Sequence, residues 1–244
     1  MTDKDKTLRK GLQILDLLSA SDGPRGAADI ARELELTRSN TFRLMSTLTD
    51  MGYLRRADET GRYEPTLKSW EIGMRIMGRN PLRRVAQPFL RSLHEATGFN
   101  TYLSILDGPD ILYLDKVESE TQNQISAQPG TRLPAFLVAS GHAILASTSD
   151  QAVLEGIAGH PRASEMDRET LISSLEHARE RGWAMTMSGS RPGVTSIAAA
   201  VCGFSGGVAA AIAVSAPSKK IDTDGYERIS QHVMDRALRI SDVL

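Results

Sequence analysis

Residues Gly203–Gly207 read G-F-S-G-G. The letters match the G-x-S-x-G elbow that presents a nucleophilic serine at a strand-to-helix turn. A serine hydrolase built on Ser205 needs a helix directly after the serine, with an acid and a histidine further along the chain. The following residues, GGVAAAIAVSAP, carry no charge before Lys219 and close on Ala216-Pro217, so they read as a buried strand. His232 is the only later histidine, and it falls in an amphipathic helical stretch. Three glycines in five residues suit a tight reversal between strands, and serine suits a turn. A hydrolase through Ser205 is the weaker reading, and no enzyme activity is expected.

A second set of chemistry-bearing residues lies near the front: Thr37, Arg38, Ser39, Asn40, Thr41 and Arg43. Hydroxyls and amides of this kind reach phosphates and base edges, and an arginine can grip guanine through two hydrogen bonds. Thr37 caps a predicted helix, TRSNTFRLMSTLTDM, in which Phe42, Met45 and Leu48 are expected to face inward. A shorter helix precedes it in AADIARELEL, with Ile30 and Leu34 on one face, and Leu8, Leu12, Leu15 and Leu18 mark an amphipathic helix before that. Two short helices around a tight connection form the helix-turn-helix pattern, whose second helix enters the major groove. GYLRRADETGRYEP then reads as a hairpin turning at Asp58-Glu59-Thr60-Gly61, a wing that sets Arg55, Arg56 and Arg62 against phosphates.

The elements behind these residues fit a chain of one or two domains. Residues 1–95 carry 17 Lys/Arg against 13 Asp/Glu, and residues 96–244 carry 12 against 17. A mildly basic front and an acidic back suit a nucleic-acid module joined to something else. The start MTDKDKTLRKG lacks the apolar core of an export signal, and no apolar run reaches the ~20 residues of a membrane span. Cys202 stands alone, so no internal disulfide forms, and the cytoplasm is the expected location. The five histidines are scattered without metal-ligand spacing, so neither metal nor cofactor is expected. Further along, Leu67, Trp70, Met74 and Met77 make a helical stripe ended by Asn80-Pro81, suited either to a partner or to its own domain. The back half alternates strand-like and helix-like segments, giving an α/β or α+β domain.

The whole series of blocks resembles the IclR-type bacterial transcriptional regulators. The resemblance is carried by LRKGLQILDLLS, DIARELELTRSNTFRLMSTLTDMGYL and GRYEPTLKSWEIG, then by FLRSLHEATGFNTYLSILDG, ILYLDKVES, PGTRLPAFLVASGHAILAS, LEHARERGWA, PGVTSIAAAV and GGVAAAIAVSAP. It implies an α/β two-domain fold: a winged helix-turn-helix domain over 1–66, a linker helix over 67–80 and a GAF-like effector-binding domain over 81–244. It also implies a dimer or dimer of dimers that binds palindromic double-stranded operator DNA under the control of a small metabolite.

The resemblance further implies that an effector carboxylate is bound where the helix beginning Ala139-Ser140-Gly141 starts, a place where free backbone N–H groups and the helix dipole favour an anion. Ser140 could equally serve only to cap that helix. Ser196 and Ser215 match positions where the family has polar pocket residues. Where family members commonly have acidic residues before P-G-V, this chain reads TMSGSRPG, and it lacks the proline often found near Ala199-Ala200-Val201. Loss of an acid and gain of Arg191 would favour an anionic ligand, with Met185 or Met187 against an apolar body. The alternative for Arg191 is a solvated turn charge.

Overall fold

The computed structural model describes residues 5–57, 61–119, 127–148, 151–203, 206–221 and 223–244. The chain divides into two compact units between Arg79 and Asn80.

In the first unit, α1 (Lys6–Ser19) starts at Asp5, whose side chain accepts the N–H groups of Thr7 and Leu8. Those two bonds stabilise the carboxylate and hold its pKa below the ordinary value. Helices α2 (Ala27–Glu33) and α3 (Arg38–Asp50) follow, then the short antiparallel strands β1 (Leu54–Arg56) and β2 (Tyr63–Pro65). Arg25 bridges to Tyr63 and widens this hairpin by one residue pair. The core is Ile14, Leu18, Ile30, Leu44, Met45, Leu54 and Tyr63. Two expectations about facing need correction. The inward face of α1 runs Gly11–Ile14–Leu18, and Leu8 and Leu12 are exposed. On α3 the inward face is Thr41–Leu44–Met45, so Phe42, one residue and about 100° further round the helix, is exposed. Helix α4 (Lys68–Gly78) is tied back to this unit: the Lys68 ammonium donates to the Met51 carbonyl and lies 4.8 Å from the centre of the Tyr53 ring.

The second unit opens with α5 (Pro81–Thr97), capped by Asn80 and ended by Gly98 in the left-handed conformation. The hairpin β3 (Asn100–Asp107) and β4 (Asp110–Val117) comes next, then the short strand β5 (Arg132–Pro134). A 3-10 turn (Ala135–Leu137) leads into α6 (Ala139–Ala146), followed by α7 (Gln151–Ala158) and α8 (Arg168–Arg181). Strands β6 (Ala184–Met187), β7 (Val194–Cys202) and β8 (Val208–Pro217) and helix α9 (Thr223–Ser241) complete the unit. Six strands form one antiparallel sheet in the order β5-β4-β3-β8-β7-β6. Alternation along the strands separates two faces. Ala198, Ala211 and Ala213 pack with the wholly buried α6 and with α8, and their small side chains let the helix approach the sheet closely. The larger Ile197, Ile212 and Val214 alternate with them and are also buried.

Candidate functional site

On the first unit, α3 presents Arg38, Ser39 and Arg43 exposed and Asn40 half-buried, on the side away from Leu44 and Met45. The N-cap Thr37 accepts the Asn40 N–H at 3.4 Å, and the Arg43 guanidinium reaches the Asn40 side-chain oxygen at 3.4 Å. Thr41 leaves this set. It is fully buried, and its hydroxyl donates to the Thr37 carbonyl at 3.1 Å, so its side chain serves the core. The wing forms with Arg55 opposite Glu64 and Arg56 opposite Tyr63. Arg55 pairs with Glu64 at 2.7 Å, Arg56 lies over the Tyr63 ring at 5.6 Å, and Arg62 is exposed. The wing-tip residues Asp58-Glu59-Thr60 lie outside the described residues.

On the second unit, a cavity of about 60 Å³ opens where the start of α6 meets the sheet. Strand register builds its floor: Asn100 stands opposite Ser215, Ser215 opposite Ser196, and Ser196 opposite Thr186. One polar row thus crosses β3, β8, β7 and β6, and all four residues line the cavity. The Ser196 and Ser215 hydroxyls bond each other at 2.7 Å. Asn100 accepts the Ser119 N–H at 2.7 Å, which fixes its amide. Val138, Ala139 and Ser140 bring the first turn of α6 to the cavity, and no side chain caps that turn. Arg191 also lines it, from the loop after β6. Tyr102 and Tyr113 form an apolar wall, edge to face with ring centres 5.4 Å apart. Burial, reinforced by Tyr102, drives the Tyr113 pKa upward against the opposing pull of Arg191, so this hydroxyl stays protonated.

Of the residues expected at the effector site, Ala139, Ser140, Arg191, Ser196 and Ser215 meet at this cavity. Gly141 and Met187 do not. A Cβ on Gly141 would sit 1.9 Å from the Ala135 carbonyl oxygen, so glycine there serves the packing of α6 on the preceding turn. Met187 is exposed at the end of the edge strand β6, and Met185 is not among the lining residues, so neither supplies the expected apolar contact. The lining residues that sequence reasoning missed include Asn100, Tyr102, Tyr113 and Thr186. Asn100 and Tyr102 alternate along β3 with period two, a signal that was present; cross-strand register was the missing piece.

Ser205 itself lies outside the described residues. Around it, the Gly203 N–H donates to the Gly207 carbonyl at 2.8 Å, Gly206 has a φ of 78°, and strand β8 follows directly. A strand, β8, follows where an elbow requires a helix.

Two family models match this chain: bacterial transcriptional regulator IclR C-terminal over residues 74–242, and the IclR helix-turn-helix domain over residues 7–58. The chain belongs to the IclR family of bacterial transcriptional regulators. It is a DNA-binding regulator, not a hydrolase. This IclR-family chain is 29% identical over 244 residues to the HTH-type transcriptional regulator XynR of Escherichia coli, covering 98% of this chain and 97% of that one. The crystal structure of the Thermotoga maritima IclR superposes with a TM-score of 0.76 at 26% identity, covering 99% of each chain. An IclR homologue from Microbacterium hydrocarbonoxydans, complexed with 4-hydroxybenzoate, shares the fold with a TM-score of 0.79 at 23% identity, over 97% of this chain and 98% of that one. No helix among the described residues is long and apolar enough to cross a membrane.

Proposed function

We propose that this IclR-family regulator binds a palindromic operator as a dimer or dimer of dimers in the cytoplasm, and that a small carboxylate in the α6 cavity modulates that binding. The reading assigns residues 1–66 to DNA binding, 67–80 to a linker helix, and 81–244 to effector binding and oligomerisation in a GAF-like domain. One observation carries the effector reading: the first turn of α6, which no side chain among the described residues caps, and Arg191 border the same cavity. Backbone N–H groups at a helix start favour an anion by about 0.3–1 kcal/mol near a surface, and by up to ~2 kcal/mol when partly buried. Arg191 adds a charge-assisted donor. The Ser196–Ser215 pair then orients whatever the carboxylate carries.

Thr37, Arg38, Ser39, Asn40 and Arg43 would read the operator, with Arg43 at a base edge and Arg55, Arg56 and Arg62 on phosphates. Oligomerisation is supported by α4 and its N-cap Leu67: Leu67, Trp70, Met74 and Ile76 all stand exposed, and no residue of the helix is buried. Apolar surface of that extent seldom stays open to water. An effector acts in such a system by preferring one spacing of the two recognition helices over another.

The test uses the full-length protein with DNA from its own upstream region in a gel-shift titration, with and without a panel of organic acids. One class of acid should move the midpoint, and Arg191→Gln should weaken that response by about tenfold, the range of one lost charge-assisted hydrogen bond. A panel that moves neither the gel-shift midpoint nor the melting temperature would mean a DNA-binding protein without an acid effector.

A further inference from the structure

Helix α3 turns one stripe inward, Thr41, Leu44 and Met45, with Leu48 half-buried beside it. At about 100° per residue, the face opposite that stripe is Ser39, Phe42, Arg43 and Ser46. All four are exposed. They stand at i, i+3, i+4 and i+7, the spacing at which homeodomain recognition helices read the major groove. Phe42 is the large apolar side chain of this face. It is 55% exposed and takes no part in the core of the first unit.

The helix itself gives no reason for an aromatic ring here. Phenylalanine is only an average helix former and loses side-chain freedom against the preceding turn. The charge around it points to the occupant. From Thr37 to Thr49 the segment carries Arg38 and Arg43 and no acid, and Asp50 comes only at the far end. A cationic face of this kind suits a polyanion better than a second protein surface. In the major groove an apolar ring finds one apolar element of the base code, the C5-methyl group of thymine; the rest of the code is hydrogen-bond donors and acceptors.

We infer that Phe42 is a specificity residue whose ring packs on the methyl group of an operator thymine, within about two base pairs of the guanine that Arg43 grips. The spacing follows from geometry, because neighbouring Cα atoms lie about 3.8 Å apart and bases step by about 3.4 Å along one strand. The inference rests on the reading of α3 as the helix that enters the major groove.

Exchange of thymine for uracil tests it, since uracil keeps the hydrogen-bonding edge and lacks only the methyl group. The probe is the duplex that the full-length protein selects from a random-sequence library, with each thymine exchanged in turn and affinity read by fluorescence anisotropy. At one thymine, or its symmetry mate, the exchange should weaken binding about fourfold, the worth of one buried methyl group. Phe42→Ala should bind the thymine probe at least that much more weakly and lose nothing further with uracil at the same position. Phe42→Leu should keep part of the methyl preference, and it carries the comparison should the alanine variant fail to fold. If no exchange weakens the unmodified protein, or if Phe42→Ala and Phe42→Leu are as sensitive to it as the unmodified protein, the thymine inference falls. A flattened base preference in Arg43→Ala would then leave the reading of α3 standing. If selection returns no preferred sequence, or Arg43→Ala keeps both affinity and preference, both fall.

Discussion

Ser196 and Ser215 face each other across β7 and β8 in direct register, and their hydroxyl oxygens stand 2.7 Å apart on the cavity floor. The turn that looked like a nucleophile elbow joins these two strands, so its length fixes which residues pair. Either serine changed to alanine removes the shared bond and leaves the other hydroxyl short of a partner. Each single substitution should lower stability by about 0.5–1.5 kcal/mol. The double substitution should cost less than the sum, because the second change removes an already orphaned group. Urea unfolding of the two single variants and the double variant measures the coupling; strictly additive losses would mean that the hydroxyls do not act as a pair.

On the wing, Arg55 is held by Glu64 at 2.7 Å, with the arginine side chain 70% and the glutamate 26% exposed. An ion pair this open to water contributes little to stability, yet it competes with a phosphate for the same guanidinium. Glu64→Gln should therefore tighten DNA binding on all sequences alike. Arg55→Ala should weaken it uniformly and reduce the slope of log affinity against log salt by about 0.9, the share of one phosphate contact. Arg43→Ala should behave differently by flattening the preference among operator variants. Fluorescence anisotropy across a salt series separates the three. A Glu64→Gln variant that binds no tighter at any salt would show that the pair yields to phosphate without cost.

The parts of the fold set by local pattern were legible in the sequence. Thr37 caps α3, Gly182 ends α8 in the left-handed conformation, and Gly108 turns β3 into β4. These features depend on neighbours a few residues away. Facing on marginal helices was less legible. Leu8, Leu12 and Phe42 are as apolar as the residues that are buried, and only the tertiary position of α1 and α3 decides which face turns inward. The cavity was half legible. Ser140, Ser196 and Ser215 sit on matching family blocks and Arg191 on the stretch that departs from them, whereas Asn100, Tyr113 and Thr186 join them only through cross-strand register. Gly141 shows the opposite error: it adjoins the site in sequence, but its place is dictated by contact with Ala135.

His142 gives the protein a pH dependence that does not involve the cavity. It is buried in α6, one ring nitrogen, Nε2, lies 2.9 Å from the Phe136 carbonyl, and the other, Nδ1, has no hydrogen-bond partner among the described residues. Burial pulls its pKa below the ordinary value of 6.5, more than the bond to Phe136 raises it. The unfolded chain therefore takes up a proton near pH 6.5 while the folded chain does not. Its contribution to stability is complete above that pH and falls away as the pH drops toward the folded pKa. Melting temperature from pH 7.5 to 5.5 should fall more steeply for the unmodified protein than for His142→Gln, and parallel profiles would remove His142 as the cause.

Gly141 and Gly189 both press against the turn Ala135–Leu137, and the two should respond differently to alanine. At Gly141 the added methyl would lie 1.9 Å from a backbone oxygen, inside a helix whose residues are all buried. Alanine is favoured over glycine in a helix by about 1 kcal/mol, but overpacking in a core that cannot shift costs about 1–3 kcal/mol and sometimes more. The clash outweighs the propensity, so Gly141→Ala should be destabilising. At Gly189 a Cβ would lie 2.3 Å from the Leu137 oxygen, but the glycine sits in an exposed loop rather than inside a buried helix, so relief of the clash should cost less there. Its relief carries Ser190 and Arg191 away from the cavity they line. Gly189→Ala should therefore leave the urea midpoint nearly unchanged and weaken acid binding, while Gly141→Ala lowers the midpoint. Equal losses of stability in the two variants would mean that the loop after β6 is held as rigidly as the helix.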